Sequence, residues 1–286
     1  MKIIKYFFEF IFIYFFLIVF KCIGYKNSSN LGAKLGLIFG PLFRSKKKII
    51  NNLKIANVGI GDEERDIIIK KMWGNYGRIL GEYPYLKKFK NNIFKNYISI
   101  DGIEHLEEIK KNKKKVIFVS GHFSNFELMA MQLENKGIDV AAIYRPLNNI
   151  FLNKIMEKIR INDICKVQIK KGKSGNRDLI KYFKNGYSIA LMIDQRVSEG
   201  LQINFFNKKA YTTTIPAQLV KKYDCEIVPI YINRFNKYFF KMKVYQPLSF
   251  ERDLSLEDIT LKLNVLLEKM ILKNPEQWIW SHNRWK

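Results

Sequence analysis

Cysteine is scarce in this chain of 286 residues: Cys22, Cys165 and Cys225 are the only three, and no two stand in a CxxC spacing. That excludes a disulfide-stapled scaffold and any cysteine-based zinc site, and it fits a reducing compartment. Histidine is equally rare. His105, His122 and His282 are dispersed along the sequence, so no histidine metal cluster is expected. No repeat, heptad run or Gly/Ser linker interrupts residues 26–286, which points to one domain rather than an array. Acidic residues number 26 against 50 basic ones, leaving a net charge of +24. Lysine outnumbers arginine forty to ten, as AT-rich coding favours, so the charge alone does not name a partner. It draws the surface toward phosphates, whether of nucleic acid or of anionic lipid. No RNP, helix-turn-helix or zinc motif supports nucleic acid. With 48% apolar residues, disorder is excluded and the length suffices for a substantial core.

What the chain has in abundance comes first. Residues Ile3 to Phe20 are apolar except for Lys5 and Glu9. As a helix this run reaches roughly 27 Å, close to the ~30 Å hydrocarbon thickness of a bilayer. Lys21-Cys22-Ile23-Gly24 offers neither a signal-peptidase site nor a lipobox. No polar face is present, as a soluble buried helix would require, and a single span is favoured over a helix lying in the plane of the interface. We therefore expect residues 1–25 to form an N-terminal membrane anchor, standing apart from a body of residues 26–286. Lys21, Lys26, Lys34, Arg44 and Lys46 to Lys48 follow the run, which by the positive-inside rule places that body on the cytoplasmic side.

Within the body, Ser45 to Asn57 and Asp62 to Tyr83 are helical in pattern, with Asp62-Glu63-Glu64 at a helix start where the dipole favours acids. From Lys115 short apolar runs alternate with helical stretches. Strands are expected at Val116–Val119, Val140–Tyr144, Tyr187–Ile193 and Ile227–Ile232, with Tyr238–Tyr245 as an edge hairpin partner. Helices are expected at Ser124–Lys136, Ile150–Ile161 and Leu256–Leu272. This alternation predicts an α/β fold: a central mixed, largely parallel sheet flanked by helices.

In such sheets chemistry gathers beyond the carboxyl ends of strands. There the sequence reads Ser120-Gly121-His122-Phe123-Ser124-Asn125-Phe126-Glu127. If Gly121 turns the chain and a helix starts at Ser124, Glu127 can reach back to the His122 ring. A carboxylate on one ring nitrogen fixes the tautomer and raises the basicity of the other, as a general base for a hydroxyl needs. Ser124-x-x-Glu127 is equally a capping box, with Glu127 tying down a helix start and doing no chemistry. Asp194 ends the apolar strand Ala190–Ile193; it stands either at a site or at a turn, where it could position Arg145, Arg160 or Arg196. Cys165 and Cys225 read as buried small residues, His105 as surface, and His282 among Trp278, Trp280 and Trp285 as terminal core or membrane interface.

The wider pattern resembles a known family. His122-x-x-x-x-Glu127 is similar to the HX4D/E signature of glycerolipid-type acyltransferases, and the chain as a whole resembles the late (secondary) acyltransferases of lipid A biosynthesis, the lauroyl and myristoyl transferases. Trp73-Gly-Asn-Tyr-Gly-Arg78 with Glu82-Tyr-Pro84 resembles that family's early helix. Gly121 to Glu127 resembles its GHFGNWE, Ile143 to Asn149 its YRPxxNP, and Asp194-Gln-Arg196 its DQ motif. Phe205 to Ala210 with Thr212 to Thr214 resembles FFGxxAxT, and Trp278 to Lys286 resembles WxWxHRRWK. These motifs are colinear from about residue 70 onward. Ser124 and Asn207 stand where the family has glycines, Phe126 where it has tryptophan, Asn149 where it has proline, and Asn283 where it has arginine.

The resemblance implies acyl transfer from an acyl-carrier-protein thioester to a hydroxyl of a lipid A precursor. His122 would be the general base and Glu127 its partner, with no covalent enzyme intermediate, no metal and no cofactor beyond the thioester co-substrate. It also implies a site at the inner membrane, among its lipids. Arg145 and Arg160 would meet acceptor phosphates or the donor, because the guanidinium fork suits phosphate oxygens. Asn125, Asp194 and Arg196 would contact substrate from within their motifs. A strongly acidic carrier protein would account for the positive surface. The same chemistry on a lysophospholipid or another glycolipid is an alternative, and a non-catalytic, basic, membrane-anchored binding protein a more distant one.

Overall fold

The apolar runs become strands, and their order fixes which strand ends meet. In the computed structural model, which describes residues 2–59 and 61–286, β1 (Ile98–Asp101), β2 (Ile117–Ser120), β3 (Val140–Tyr144), β4 (Val167–Lys170) and β5 (Ser188–Met192) share one sheet with two later strands. β6 (Leu201–Phe205) and β7 (Lys208–Thr212) form a separate antiparallel hairpin, and β8 (Ile227–Phe235) and β9 (Phe239–Val244) return to the main sheet. Its order is β1-β9-β8-β2-β5-β3-β4, parallel at every pairing except β8–β9. β2 is buried at all four positions, as a central parallel strand covered on both faces must be. Helices α6 (Ile103–Lys111), α7 (Glu127–Asn135), α8 (Ile150–Ile159), α9 (Lys173–Lys184), α10 (Ile215–Tyr223) and α11 (Leu256–Lys273) connect and flank the strands. The expected α/β architecture is the one the chain adopts. β9 is the hairpin partner of β8, but β1 pairs on its outer side, so it is not an edge strand.

Ahead of the sheet lie α1 (Lys2–Cys22), α2 (Tyr25–Phe43), α3 (Lys46–Ile55), α4 (Asp62–Glu82) and α5 (Leu86–Lys90). α2 carries Gly32, Gly36 and Gly40 at one-turn spacing, and this face lies directly on Gly77, Gly81 and Trp73 of α4. A methyl group on Gly77 would collide with the carbonyl oxygen of Gly32, and one on Gly36 with that of Trp73. Backbone cannot swing aside as a flexible side chain can. We expect Gly77→Ala to cost about 3 kcal/mol, the upper end of overpacking, despite alanine's better helix propensity. Thermal unfolding of the full chain checks this, and a variant as stable as the parent would mean that the two helices can separate.

The membrane-anchor candidate is α1, of whose apolar window only 6% is buried. It does not stand apart from the body, as the sequence led us to expect. Phe20 is fully buried and its carbonyl accepts the Tyr85 hydroxyl at 2.7 Å. Toward the other end, Asn149 donates to the Tyr6 carbonyl at 2.8 Å, and Phe7 and Phe10 pack on Phe151. Aromatic contact along an apolar helix brings these segments together, since each removes surface from water. Of the two readings offered for the terminal tryptophans, core or membrane interface, the structure selects the core. Trp278 and Trp280 are 1% and 0% exposed, so they belong to the core and not to a headgroup layer.

Candidate active site

β2 and β5 are neighbours, and Ser120 is the Cα partner of Met192. Two residues beyond each, His122 and Asp194 therefore leave the sheet side by side. Asp194 accepts twice from His122: Oδ1 from ring Nδ1 at 2.8 Å, and Oδ2 from the backbone N–H at 2.8 Å. Trp278 Nε1 donates to Oδ2 at 2.9 Å. The carboxylate is fully buried, whereas the imidazole keeps one-fifth of its side chain exposed to a cleft. With Nδ1–H bound to Asp194, Nε2 carries the free lone pair on the cleft side, with Gln195 Nε2 at 3.5 Å.

Electrostatics follow from this geometry. Burial alone would lower the His122 pKa, but the charge and hydrogen bond of Asp194, with a smaller push from Glu127, raise it above the ordinary histidine value. Burial would raise the Asp194 carboxyl, yet His122 and the Trp278 donor hold it at about 2. His282 lies behind this pair, and burial pushes it down to about 4, so it stays neutral at physiological pH.

The partner of the imidazole is thus Asp194, and not Glu127. The loop between them explains why. Gly121 does open a tight turn, the Phe123 N–H donating to its carbonyl at 2.8 Å across His122, but Ser124 turns the chain again at φ 45°, in the left-handed region that its glycine counterpart would occupy without strain. Helix α7 begins only at Glu127, with Phe126 as an N-cap that makes no side-chain bond. The capping box is therefore not formed either. Glu127 instead accepts Arg160 at 2.7 and 3.2 Å and the Tyr83 hydroxyl on the same oxygen, Oε1. Arg160 opens a single π turn, Arg160–Ile164, at the end of α8, a distortion that re-aims side chains at functional sites. Burial would lower its pKa, but Glu127 raises it, so the guanidinium stays charged.

The cleft has a volume of ≈ 340 Å³. Its floor is apolar, with Phe118, Ala142 and Ala190 from the sheet, and its rim carries Arg145, Lys171 and Arg196 besides Arg160. Asp194, expected to position an arginine, positions the histidine. Arg196 donates through Nε to the Lys286 carbonyl at 3.0 Å and lies over the Tyr211 ring. Asn125, expected to touch substrate, faces away from the cleft. Its Nδ2 donates at 2.9 Å to Glu82, a fully buried carboxylate that also takes Ser29 at 2.8 Å and both terminal nitrogens of Arg234 at 2.5 and 3.0 Å. The Gln277 side chain clamps the backbone of Arg234 in both directions, while its carbonyl takes the N–H of Ser124. This network beneath the His122 loop was not read from the sequence. An Arg at the end of the buried, mostly apolar strand Ile227–Phe235 was the available signal.

A buried acid that orders an imidazole, beside a second acid–arginine pair at the mouth of an apolar cleft, is an arrangement chemically able to serve general-base group transfer. The family comparison names the class more closely. The family model of the bacterial lipid A biosynthesis acyltransferases matches residues 1–286, and the chain belongs to that family: it is an acyltransferase of lipid A biosynthesis. The lipid A biosynthesis lauroyltransferase of Escherichia coli K12 is 24% identical over 268 residues, covering 90% of this chain and 84% of its own. Lipid A biosynthesis acyltransferase 2 of Shigella flexneri is 24% identical over 255 residues, with coverage of 87% and 80%. The E. coli K12 myristoyltransferase is 22% identical over 256 residues, with coverage of 87% and 77%.

Proposed function

We propose that this chain transfers a fatty acyl group from an acyl-carrier-protein thioester to a hydroxyl of a lipid A precursor, with His122 as general base. The observation that carries the reading is the imidazole itself, held at Nδ1 by buried Asp194 and open at Nε2 to the cleft. The acceptor hydroxyl gives its proton to Nε2 as its oxygen attacks the thioester carbonyl. The new C–O bond forms, the C–S bond breaks, and the departing thiolate takes the proton back from the imidazolium. Asp194 stabilises that cation and keeps Nε2 as the acceptor. Arg160, fixed and kept charged by Glu127, presents positive charge where negative charge develops on the carbonyl oxygen. Arg145 and Arg196 meet substrate at the rim. The thioester is a co-substrate, and no further cofactor is involved. The net charge of +24 suits an acidic carrier protein and anionic headgroups, and the basic residues after α1 suit a body on the cytoplasmic side of the inner membrane, with α1 as its anchor.

Mass spectrometry of lipid A from cells with and without the gene tests this reading. The reading expects loss of one acyl chain from lipid A in the deletion and its return on complementation. Unchanged lipid A alongside altered phospholipid or another glycolipid would overturn it in favour of a different acceptor.

A further inference from the structure

The carboxyl edge of the sheet carries a second side-by-side pair. Tyr144 and Lys170 are Cα partners in the parallel ladder β3–β4, so the next residues, Arg145 and Lys171, leave the sheet together. The Lys171 N–H donates to the Tyr144 carbonyl at 2.8 Å, which fixes this juxtaposition in the backbone. Both side chains line the same cleft as His122.

Two of the neighbouring cations are neutralised, and these two are not. Lys170 pairs with Glu157 at 3.1 Å, and Arg160 with Glu127 at 2.7 Å. Among the described residues, neither Arg145 nor Lys171 has an ion-pair partner within 4 Å. Both side chains reach solvent at the rim, and partial desolvation there together with the adjacent Arg145 charge pushes the Lys171 ammonium below the ordinary lysine range, Glu199 offsetting part of this. Two cations held against mutual repulsion on a cleft rim make a place whose counter-charge arrives with the ligand. A planar guanidinium fork beside a compact ammonium suits phosphate oxygens.

We propose that Arg145 and Lys171 form an anion subsite that holds a phosphate monoester of the lipid acceptor, a proposal that rests on the acyl-transfer reading above. The strand order β2-β5-β3-β4 puts two strand spacings between the ends that carry His122 and Arg145, and three between those that carry His122 and Lys171. At about 4.8 Å per spacing this is roughly 10–14 Å from the base. A phosphate there is remote from the reacting hydroxyl, so the pair serves binding and orientation rather than bond making.

The test uses purified full-length protein, carrier-protein thioester donor, and three acceptors: the bisphosphorylated precursor and the two forms that each lack one phosphate. Arg145→Ala and Lys171→Ala should each raise the KM for the bisphosphorylated acceptor roughly ten- to a hundredfold, with a much smaller change in kcat. Lys171→Arg should restore most of the affinity. On one of the two monophosphorylated acceptors the variants should match the parent, which itself shows the raised KM there. A rise in donor KM instead would assign the pair to the phosphodiester of the donor arm and overturn the proposal, as would equal losses on all three acceptors. Should the parent acylate no precursor form, the acyl-transfer reading fails. Calorimetric binding of inorganic pyrophosphate then tests the subsite by itself: binding lost in both variants upholds it, and binding equal to the parent's sinks it.

Discussion

His122→Ala is expected to slow acyl transfer by about 10²–10⁴-fold, the usual loss when a positioned general base is removed. Asp194→Asn should cost a comparable factor although it leaves the imidazole in place, since an amide can neither stabilise the imidazolium nor insist on Nδ1 as the protonated nitrogen. The double variant should lose little more than either single one, because the two residues act as a unit joined by contacts at 2.8 Å. Initial rates with purified donor and acceptor check all three. Multiplying losses would mean that Asp194 supports the fold around His122 and takes no part in the proton transfer.

The second large effect is on stability. Glu82 is fully buried, paired to both terminal nitrogens of Arg234, and shared by donors from α2 and from the His122 loop. Glu82→Ala strands a buried guanidinium and orphans those donors, and the expected cost is about 3–5 kcal/mol. For a protein whose whole stability is on the order of 5–15 kcal/mol, such a variant should accumulate poorly. Replacing both partners with apolar residues of similar size, Glu82→Leu with Arg234→Met, should recover a large part of that loss, because no charge remains unpaired. Thermal unfolding of the full-length single and double variants measures the coupling. Additive losses would show that the two groups do not depend on each other.

Much of the fold was legible because its central strands are short, dense apolar runs. Val140–Tyr144 matches β3 at both ends, and the expected strands at Val116, Tyr187 and Ile227 became β2, β5 and β8 within a few residues. α2 was not read as a helix, for a physical reason. Three glycines and Pro41 lower its intrinsic propensity, and only the close approach to α4 makes those glycines an advantage. β1, β4 and the β6–β7 hairpin are four or five residues long and carry charged or polar residues, so their pattern is too brief to stand out.

The site was half legible. His122 and Asp194 each stand out as residues just beyond an apolar strand, but no spacing within the sequence links positions 72 apart; only the β2–β5 register does. Glu127 lay five residues from His122 and invited a pairing that the left-handed turn at Ser124 prevents. Trp278 belongs to the aromatic terminal motif, and nothing in that motif announces its hydrogen bond to Asp194.

The pH dependence of kcat/KM tests the central claim most directly. A general base must be neutral to accept a proton, so activity rises with pH through the pKa of His122. Asp194 raises that pKa, which puts the acidic limb of the parent profile above the ~6.5 of a free imidazole. In Asp194→Asn the raising charge is gone while burial still disfavours the cation, so the limb should move to lower pH even as the plateau falls. An acidic limb that stays where it was in Asp194→Asn, or a plateau equal to the parent's, would contradict the assignment of His122 and Asp194 as the catalytic pair.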